Sequence, residues 1–457
     1  MRRDSLAGVN SIGAWIRGLP ERHGRTALIL LAAILVLGFG LRAYRVVEPL
    51  PTPGDDSRAY YALSKALYEE GSYGGQSFDD PSDWSPGAPL LYAAAYYATG
   101  GAREGTARIV ELLLGMGAIV VVYLLGRRIN CRPAGLVAAF GVAVYPPFIH
   151  STGALFSEPA AILTLPAAVL AFLLAGDRER LAPWLLPGAL FGLTAMVRPE
   201  YMVVGIAFAA LAAVRAGVAR GWKPGLAAAA LLAVGFLLPI LPWTVRNTIV
   251  LDRVVPISTG GGKALYVGTF LPADGEYQRV KARLAERYLG RELEPGSAAL
   301  DQVDPAPLFD RVAERYPQLP RDEALGRIGR ENLSKFFGED PSGYLAMTVR
   351  KVWRMWSSGI GEAMSSTAGR IVQVLLVLLG LGGLALLGLR ERWWETIAMA
   401  TPIAIVTAIG AASLAAPRRN EVLMALVFPL AGAALAAANS ALSSRRSWPK
   451  PPSSPPS

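Results

Sequence analysis

Thr26-Ala27-Leu28-Ile29-Leu30-Leu31-Ala32-Ala33-Ile34-Leu35-Val36-Leu37-Gly38-Phe39-Gly40-Leu41-Arg42-Ala43-Tyr44 is an apolar run interrupted by a single arginine. A helix rising about 1.5 Å per residue needs about 20 such residues to cross a bilayer. A leader with Arg2, Arg3, Arg17, Arg22 and Arg25 precedes the run, and no small-residue cleavage site follows it, so a retained signal anchor is expected. Runs of the same kind recur at 106–126, 134–150, 154–175, 182–197, 200–214, 225–245, 369–389, 395–415 and 421–439, with 134–150, 182–197 and 200–214 short for a span. The pattern predicts an all-α polytopic membrane protein of about ten transmembrane helices.

Composition points the same way. Of 457 residues, 53% are hydrophobic and 18% charged, against about 25% charged in soluble domains. The net charge of +10 is gathered in short basic clusters between apolar runs, which sets membrane orientation and gives no reason to expect a nucleic-acid partner. Cys131 is alone, which excludes an internal disulfide or a cysteine-based metal cluster. His23 and His150 are too few and too far apart for a histidine-rich metal site.

With the N-terminus inside, the leader, Arg127, Arg128, Arg132, Arg178, Arg180, Arg215, Arg220, Lys223, Arg390, Arg392, Arg445, Arg446 and Lys450 all fall on the inner side. The short outer connections hold only Arg198, Arg418 and Arg419, as the positive-inside rule requires. The chain then divides into a cytoplasmic basic leader (1–25), a transmembrane core (26–245) with an acidic outer loop of surface helices (48–105), a larger mixed extracytoplasmic segment (246–368), C-terminal transmembrane helices (369–439) and a Pro/Ser-rich disordered cytoplasmic tail (440–457). No internal repeat is visible.

Five outer stretches carry candidate chemistry. In Pro53-Gly54-Asp55-Asp56-Ser57-Arg58-Ala59-Tyr60-Tyr61, two carboxylates stand before an amphipathic helix expected over 57–70. Asp is a favoured helix cap, so capping and catalysis both stay open for the pair. Asp83-Trp84-Ser85-Pro86-Gly87-Ala88-Pro89 leads into an apolar helix over 90–98, which a packing role explains. Ser157-Glu158-Pro159 sets an acid at the start of an apolar helix, either a first-turn dipole partner or a functional group. Arg198-Pro199-Glu200 is a tight turn whose charges can pair with each other or hold a lipid phosphate. Pro242-Trp243-Thr244-Val245-Arg246-Asn247 precedes Ser258-Thr259-Gly260-Gly261-Gly262-Lys263, which lacks P-loop spacing, since Ala264 follows the lysine. Gly380-Leu381-Gly382-Gly383 lies inside a span and reads as helix packing.

Taken in order, these motifs resemble the GT-C superfamily of membrane glycosyltransferases, on the branch of the lipid A aminoarabinose transferases and the protein O-mannosyltransferases (glycosyltransferase family 39). The resemblance runs from about 26 to 270; the remainder gives none. The tyrosine four residues after an aspartate, Tyr60, points to Asp56 as the family's catalytic base, with Asp55 as a second acid. The resemblance implies substrate-binding roles for Arg58, Tyr60, Glu158, Arg198, Glu200, Arg246 and Asn247. Arg58 stands one residue out of the family's register. A polyprenyl-phosphate sugar donor is implied, transferred on the extracytoplasmic face of the plasma (inner) membrane to a hydroxyl of a lipid, glycan or protein. An ionised Asp would take the hydroxyl proton. No cofactor is demanded; Glu158 and Asp55 are candidates to help bind a divalent cation. The rival class is a polyprenyl-linked-sugar flippase or other multi-span transporter. Such proteins place ionisable groups in mid-span and duplicate their halves, which this sequence does not.

Overall fold

The computed structural model describes residues 24–48, 55–74 and 81–446, except for the side chains of Asp55 and a few others; the leader before 24 and the tail after 446 lie outside the described residues. Every regular element among the described residues is helical. In chain order they are α1 (Arg25–Val47), α2 (Asp55–Glu69), α3 (Gly87–Thr99), α4 (Glu104–Ile129), α5 (Arg132–Val144), α6 (Pro146–His150), α7 (Glu158–Gly176), α8 (Leu185–Val197), α9 (Tyr201–Arg220) and α10 (Trp222–Leu251). Then follow α11 (Gly261–Thr269), α12 (Tyr277–Leu289), α13 (Ala298–Asp301), α14 (Pro305–Ala313), α15 (Arg321–Glu339), α16 (Pro341–Ser357), α17 (Glu362–Ser365), α18 (Thr367–Leu389), α19 (Trp393–Ala412) and α20 (Pro417–Arg446).

Eight helices among the described residues are long and apolar enough to cross a membrane: α1, α4, α7, α9, α10, α18, α19 and α20. The stretches 132–144 and 182–197 are apolar but shorter. The continuous span expected over 134–150 is in fact α5 and α6, separated at Tyr145. Pro146 and Pro147 follow, and the residue before a proline is pushed out of helical conformation. The marginal 200–214 instead grows into the 20 residues of α9.

The last helix is the centre of the bundle. In α20, 72% of the apolar window is buried, against 17% in α1. It lies against α4, α5, α7 and α18. Lipid tails are as apolar as leucine, so such packing depends on close contact and not on expulsion of water. Gly141 on α5 shows how close: a Cβ there would lie 2.4 Å from the ring of Phe428. That ring packs edge-on against Tyr145 and Phe148, at 5.3 and 6.0 Å. At the other end, Asn420 donates to the carbonyls of Met355 and Ser358. This ties the first turn of α20 to the end of α16 and fixes where Arg418 projects.

Between α10 and α18, helices α11 to α15 carry a smaller core of their own, including Val267, Val280, Leu308, Phe309, Leu325 and Ile328. Lys351 joins it to the bundle, donating to Gly268 O (2.7 Å) and Ser413 O (2.9 Å). The surface helices of the first loop, α2 and α3, pack together through Tyr60, Tyr92, Tyr96 and Ala88, with Leu155 in the same cluster.

Candidate active site

Asp56 lies inside the described part of α2, and its carboxylate meets the Arg418 guanidinium from α20. The same guanidinium donates to both oxygens of Glu158, at 2.7 and 3.0 Å. Glu158 also accepts from Arg198 (2.8 Å), and Arg198 donates through Nε to Glu200 (3.0 Å). Asp56, Arg418, Glu158, Arg198 and Glu200 therefore form one alternating chain of charges, drawn from α2, α20, α7 and the turn between α8 and α9. The sequence left open whether Arg198 pairs with Glu200 or serves another group; it pairs with Glu200 and Glu158 together.

The acids of this chain differ in access, and Asp56 and Glu158 are the two that meet Arg418. Glu158 is 0% exposed, whereas the Asp56 side chain is 30% exposed and that of Arg418 34%. A buried carboxylate costs several kcal/mol unless it is paired, and two arginines meet that cost at Glu158. Asp56 is the acid that an incoming molecule can reach. In the turn, burial pulls the Arg198 guanidinium down, and Glu200 and Glu158 more than reverse this. Burial pushes Glu200 up, but Arg198 and Arg419 hold its carboxyl below the ordinary range. Burial, then the Asp56 carboxylate, pushes the Tyr60 phenol up to about 12. Tyr60 is thus a neutral hydrogen-bonding group and not a base.

A single buried acid organises the loop that carries Glu158. Glu111 of α4 is fully buried. It accepts from the N–H groups of Gly153 (2.7 Å), Leu155 (3.1 Å) and Phe156 (2.7 Å), and from the Tyr92 hydroxyl (2.7 Å). Leu155 has φ 56°, a left-handed backbone that a bulky residue adopts only when its surroundings impose it. The loop grips both ends of the site. Ser57, next to Asp56, donates to Ala154 O. The Phe156 ring lies under the Arg418 guanidinium at 4.9 Å.

The remaining sequence candidates lie outside this chain of pairs. Arg58 is exposed on α2. Arg246 lies against the rings of Trp243 (5.1 Å) and Tyr73 (5.6 Å) and donates to Tyr73 O and Asn247. Asn247 in turn donates to Val255 O and Ile257 O, holding the turn after α10. Aromatic neighbours link Arg246 to the site: the Tyr73 hydroxyl donates to Trp84 O, and the Trp84 ring stands edge-on to Tyr60 at 5.4 Å. The Asp55 side chain lies outside the described residues. In the glycine-rich run, the N–H groups of Gly262 and Lys263 donate to Asp322, so they are already taken and cradle no phosphate. No cluster of three or more metal-ligating side chains occurs among the described residues.

Arg418 and Glu111 were not singled out from sequence. Glu111 had a signal, an acid inside an apolar run. Arg418 had only its place at the outer end of the last span.

Residues 83–243 match the profile of the family described as dolichyl-phosphate-mannose-protein mannosyltransferase. No curated protein matches the chain. Among solved structures, the oligosaccharyltransferase of Archaeoglobus fulgidus tethered to an acceptor peptide is 18% identical with a TM-score of 0.56, covering 93% of this chain and 51% of that one. The same enzyme in its apo form is 17% identical with a TM-score of 0.49, over 92% and 51%. ArnT from Cupriavidus metallidurans is 15% identical with a TM-score of 0.36, over 89% and 76%. The chain thus spans about half the length of the archaeal oligosaccharyltransferase it matches. The chain has the fold of the GT-C membrane glycosyltransferases and, over residues 83–243, resembles the protein mannosyltransferases in sequence.

Proposed function

We propose that the protein is a glycosyltransferase that moves a sugar from a polyprenyl-phosphate donor to a hydroxyl acceptor, with Asp56 as general base, on the extracytoplasmic face of the plasma membrane. The observation that carries this reading is the partly exposed Asp56 set against Arg418, with the buried Glu158 and the largely covered Arg198 behind. The family matched by residues 83–243 is named for a lipid-phosphate sugar, which supports the donor class.

The step balances without a cofactor. The acceptor oxygen forms a bond to the sugar carbon as that carbon's bond to the phosphate oxygen breaks. The electron pair leaves with the phosphate, which needs no strong general acid, and the acceptor proton passes to Asp56. Arg418 faces the charge that builds on the phosphate, and Arg198 holds Glu158 so that Arg418 keeps its position. A phosphate beside Arg418 competes with Asp56 for the guanidinium, which leaves the carboxylate free to accept the proton. Arg246 and Arg58 are further arginines on the same side for the donor. Incubating the purified protein with a panel of polyprenyl-phosphate sugars and following donor consumption tests the reading. Consumption of one donor that depends on an added hydroxyl acceptor is expected; no consumption of any donor by folded protein would overturn it.

A further inference from the structure

The arginine inside the first apolar run, Arg42, lies in the last two turns of α1, where a long basic side chain ordinarily reaches out to the membrane surface. Arg42 turns the other way. It is 1% exposed and donates back to Gly38 O (3.3 Å), one turn toward the middle of the helix. Its other two acceptors are backbone carbonyls of α5: Val142 O, reached through Nη2 (2.9 Å), and Ala143 O, reached through Nη1 (3.0 Å). No carboxylate pairs with it among the described residues. Helix α4 leaves room for the side chain at Gly115, where a Cβ would lie 2.7 Å from Arg42 Nε.

The register of those two carbonyls is informative. In an α-helix each N–H donates to the carbonyl four residues back, so Val142 and Ala143 would receive from residues 146 and 147. Both are proline, and proline has no N–H. Tyr145 N still keeps the helical register, donating to Gly141 O (2.9 Å), and beyond the break Phe148 N turns to Tyr145 O (3.1 Å). Backbone carbonyls left without a donor inside a membrane are costly. The two ends of one guanidinium fork therefore stand where two backbone donors are missing. The break they fill leads directly to the site. Ser151 N donates to Pro147 O and Thr152 Oγ1 to Phe148 O, both at 2.9 Å, so the loop 151–157 hangs from α6. That loop accepts from Ser57, places Phe156 under Arg418 and ends at Glu158. Tyr145 and Phe148 also hold the Phe428 ring of α20, the helix that carries Arg418.

We propose that Arg42 is a positioning residue of the active site: its guanidinium replaces the two backbone donors that Pro146 and Pro147 lack, and by fixing the α5–α6 break it sets the loop 151–157 against Asp56 and Arg418. The effect on turnover rests on the transferase reading above. The replacement of the missing donors and the hold on the loop are properties of the fold, and they are measurable without a substrate.

The test compares Arg42→Met in two backgrounds, the wild type and Pro146→Ala/Pro147→Ala, using the full-length protein in detergent micelles. The alanines restore the two N–H groups, so the loss of thermal midpoint caused by Arg42→Met should shrink or reverse in the second background. An equal loss in both would overturn the proposal. In the wild-type background, well below the midpoint, amides of the loop 151–157 should exchange with solvent roughly tenfold faster or more in Arg42→Met, while those of Leu325 and Ile328 in α15 stay unchanged. Turnover at saturating donor, on a donor the wild type consumes, should fall roughly tenfold or more in the same preparation. An arginine that served stability alone would lower the midpoint and leave loop exchange and turnover as they were, and that result would overturn the proposal. If Arg42→Met alone is unfolded, the two alanines should restore folding; a triple variant that stays unfolded would overturn it. If the wild type consumes no donor, the transferase reading fails while exchange and suppression still decide this assignment. If the wild type consumes donor and folded Arg42→Met matches it in exchange and turnover, this assignment fails and the transferase reading stands.

Discussion

At the scale of single residues, the account turns on an arginine that bridges two acids. A guanidinium presents its donors in a fixed planar fork, so Arg418 can face Asp56 with one edge and grip Glu158 with another; an ammonium is a single point charge and cannot. Arg418→Lys should therefore keep the charge and lose the geometry. We expect turnover at least about tenfold lower on a donor the wild type consumes, measured in steady state; unchanged turnover would remove Arg418 from the mechanism. Glu111 makes a different prediction, because it holds the loop and Tyr92 and makes no pair with Arg418 or Arg198. Four donors converge on its two oxygens, and Glu111→Gln replaces one acceptor oxygen with another donor. Leaving buried N–H groups unmatched should cost on the order of 1–3 kcal/mol, seen as a lower thermal midpoint, and Tyr92→Phe should cost less.

At the scale of elements, the sequence is informative wherever a function is local. The first-loop acids, the Ser-Glu-Pro step and the Arg-Pro-Glu turn are short patterns, and each sets its charge at a helix end: Asp56 and Glu158 in the first turns of α2 and α7, Arg198 and Glu200 in the turn between α8 and α9. Arg418 was not legible in this way. It meets Asp56 across 362 positions of sequence, and only the packing of α20 inside the bundle brings them together. The α5–α6 break was signalled by Pro146 and Pro147, but the length of the apolar run outweighed it. The junction of α11, α16 and α19 offers a pH test. Burial lowers the Lys351 ammonium to about 8. Between that value and the ordinary lysine value near 10.4, the unfolded chain binds more protons than the native one, so stability should rise with pH. Thermal midpoints taken from pH 8 to 10 should climb more steeply in the wild type than in Lys351→Met. Parallel curves would mean that Lys351 is not the group responsible.

At the scale of the whole molecule, the membrane orientation underlies every functional statement. If the basic clusters set topology, Cys131 at the start of α5 and an introduced Ala299→Cys should react with a membrane-impermeant thiol reagent from opposite sides. Labelling of both from one side would contradict the topology and put the Asp56 site on the wrong face. The central claim is that Asp56 is a base and not a structural acid, and one substitution separates the two. Asp56→Asn keeps the shape of the side chain and can still accept a hydrogen bond, but it cannot take a proton. Turnover of Asp56→Asn, measured at saturating donor beside donor binding by the same preparation, tests the claim most directly. The account predicts retained binding and turnover reduced by roughly 100-fold or more, with no recovery as donor is raised. Near-normal turnover in a folded Asp56→Asn protein would contradict it.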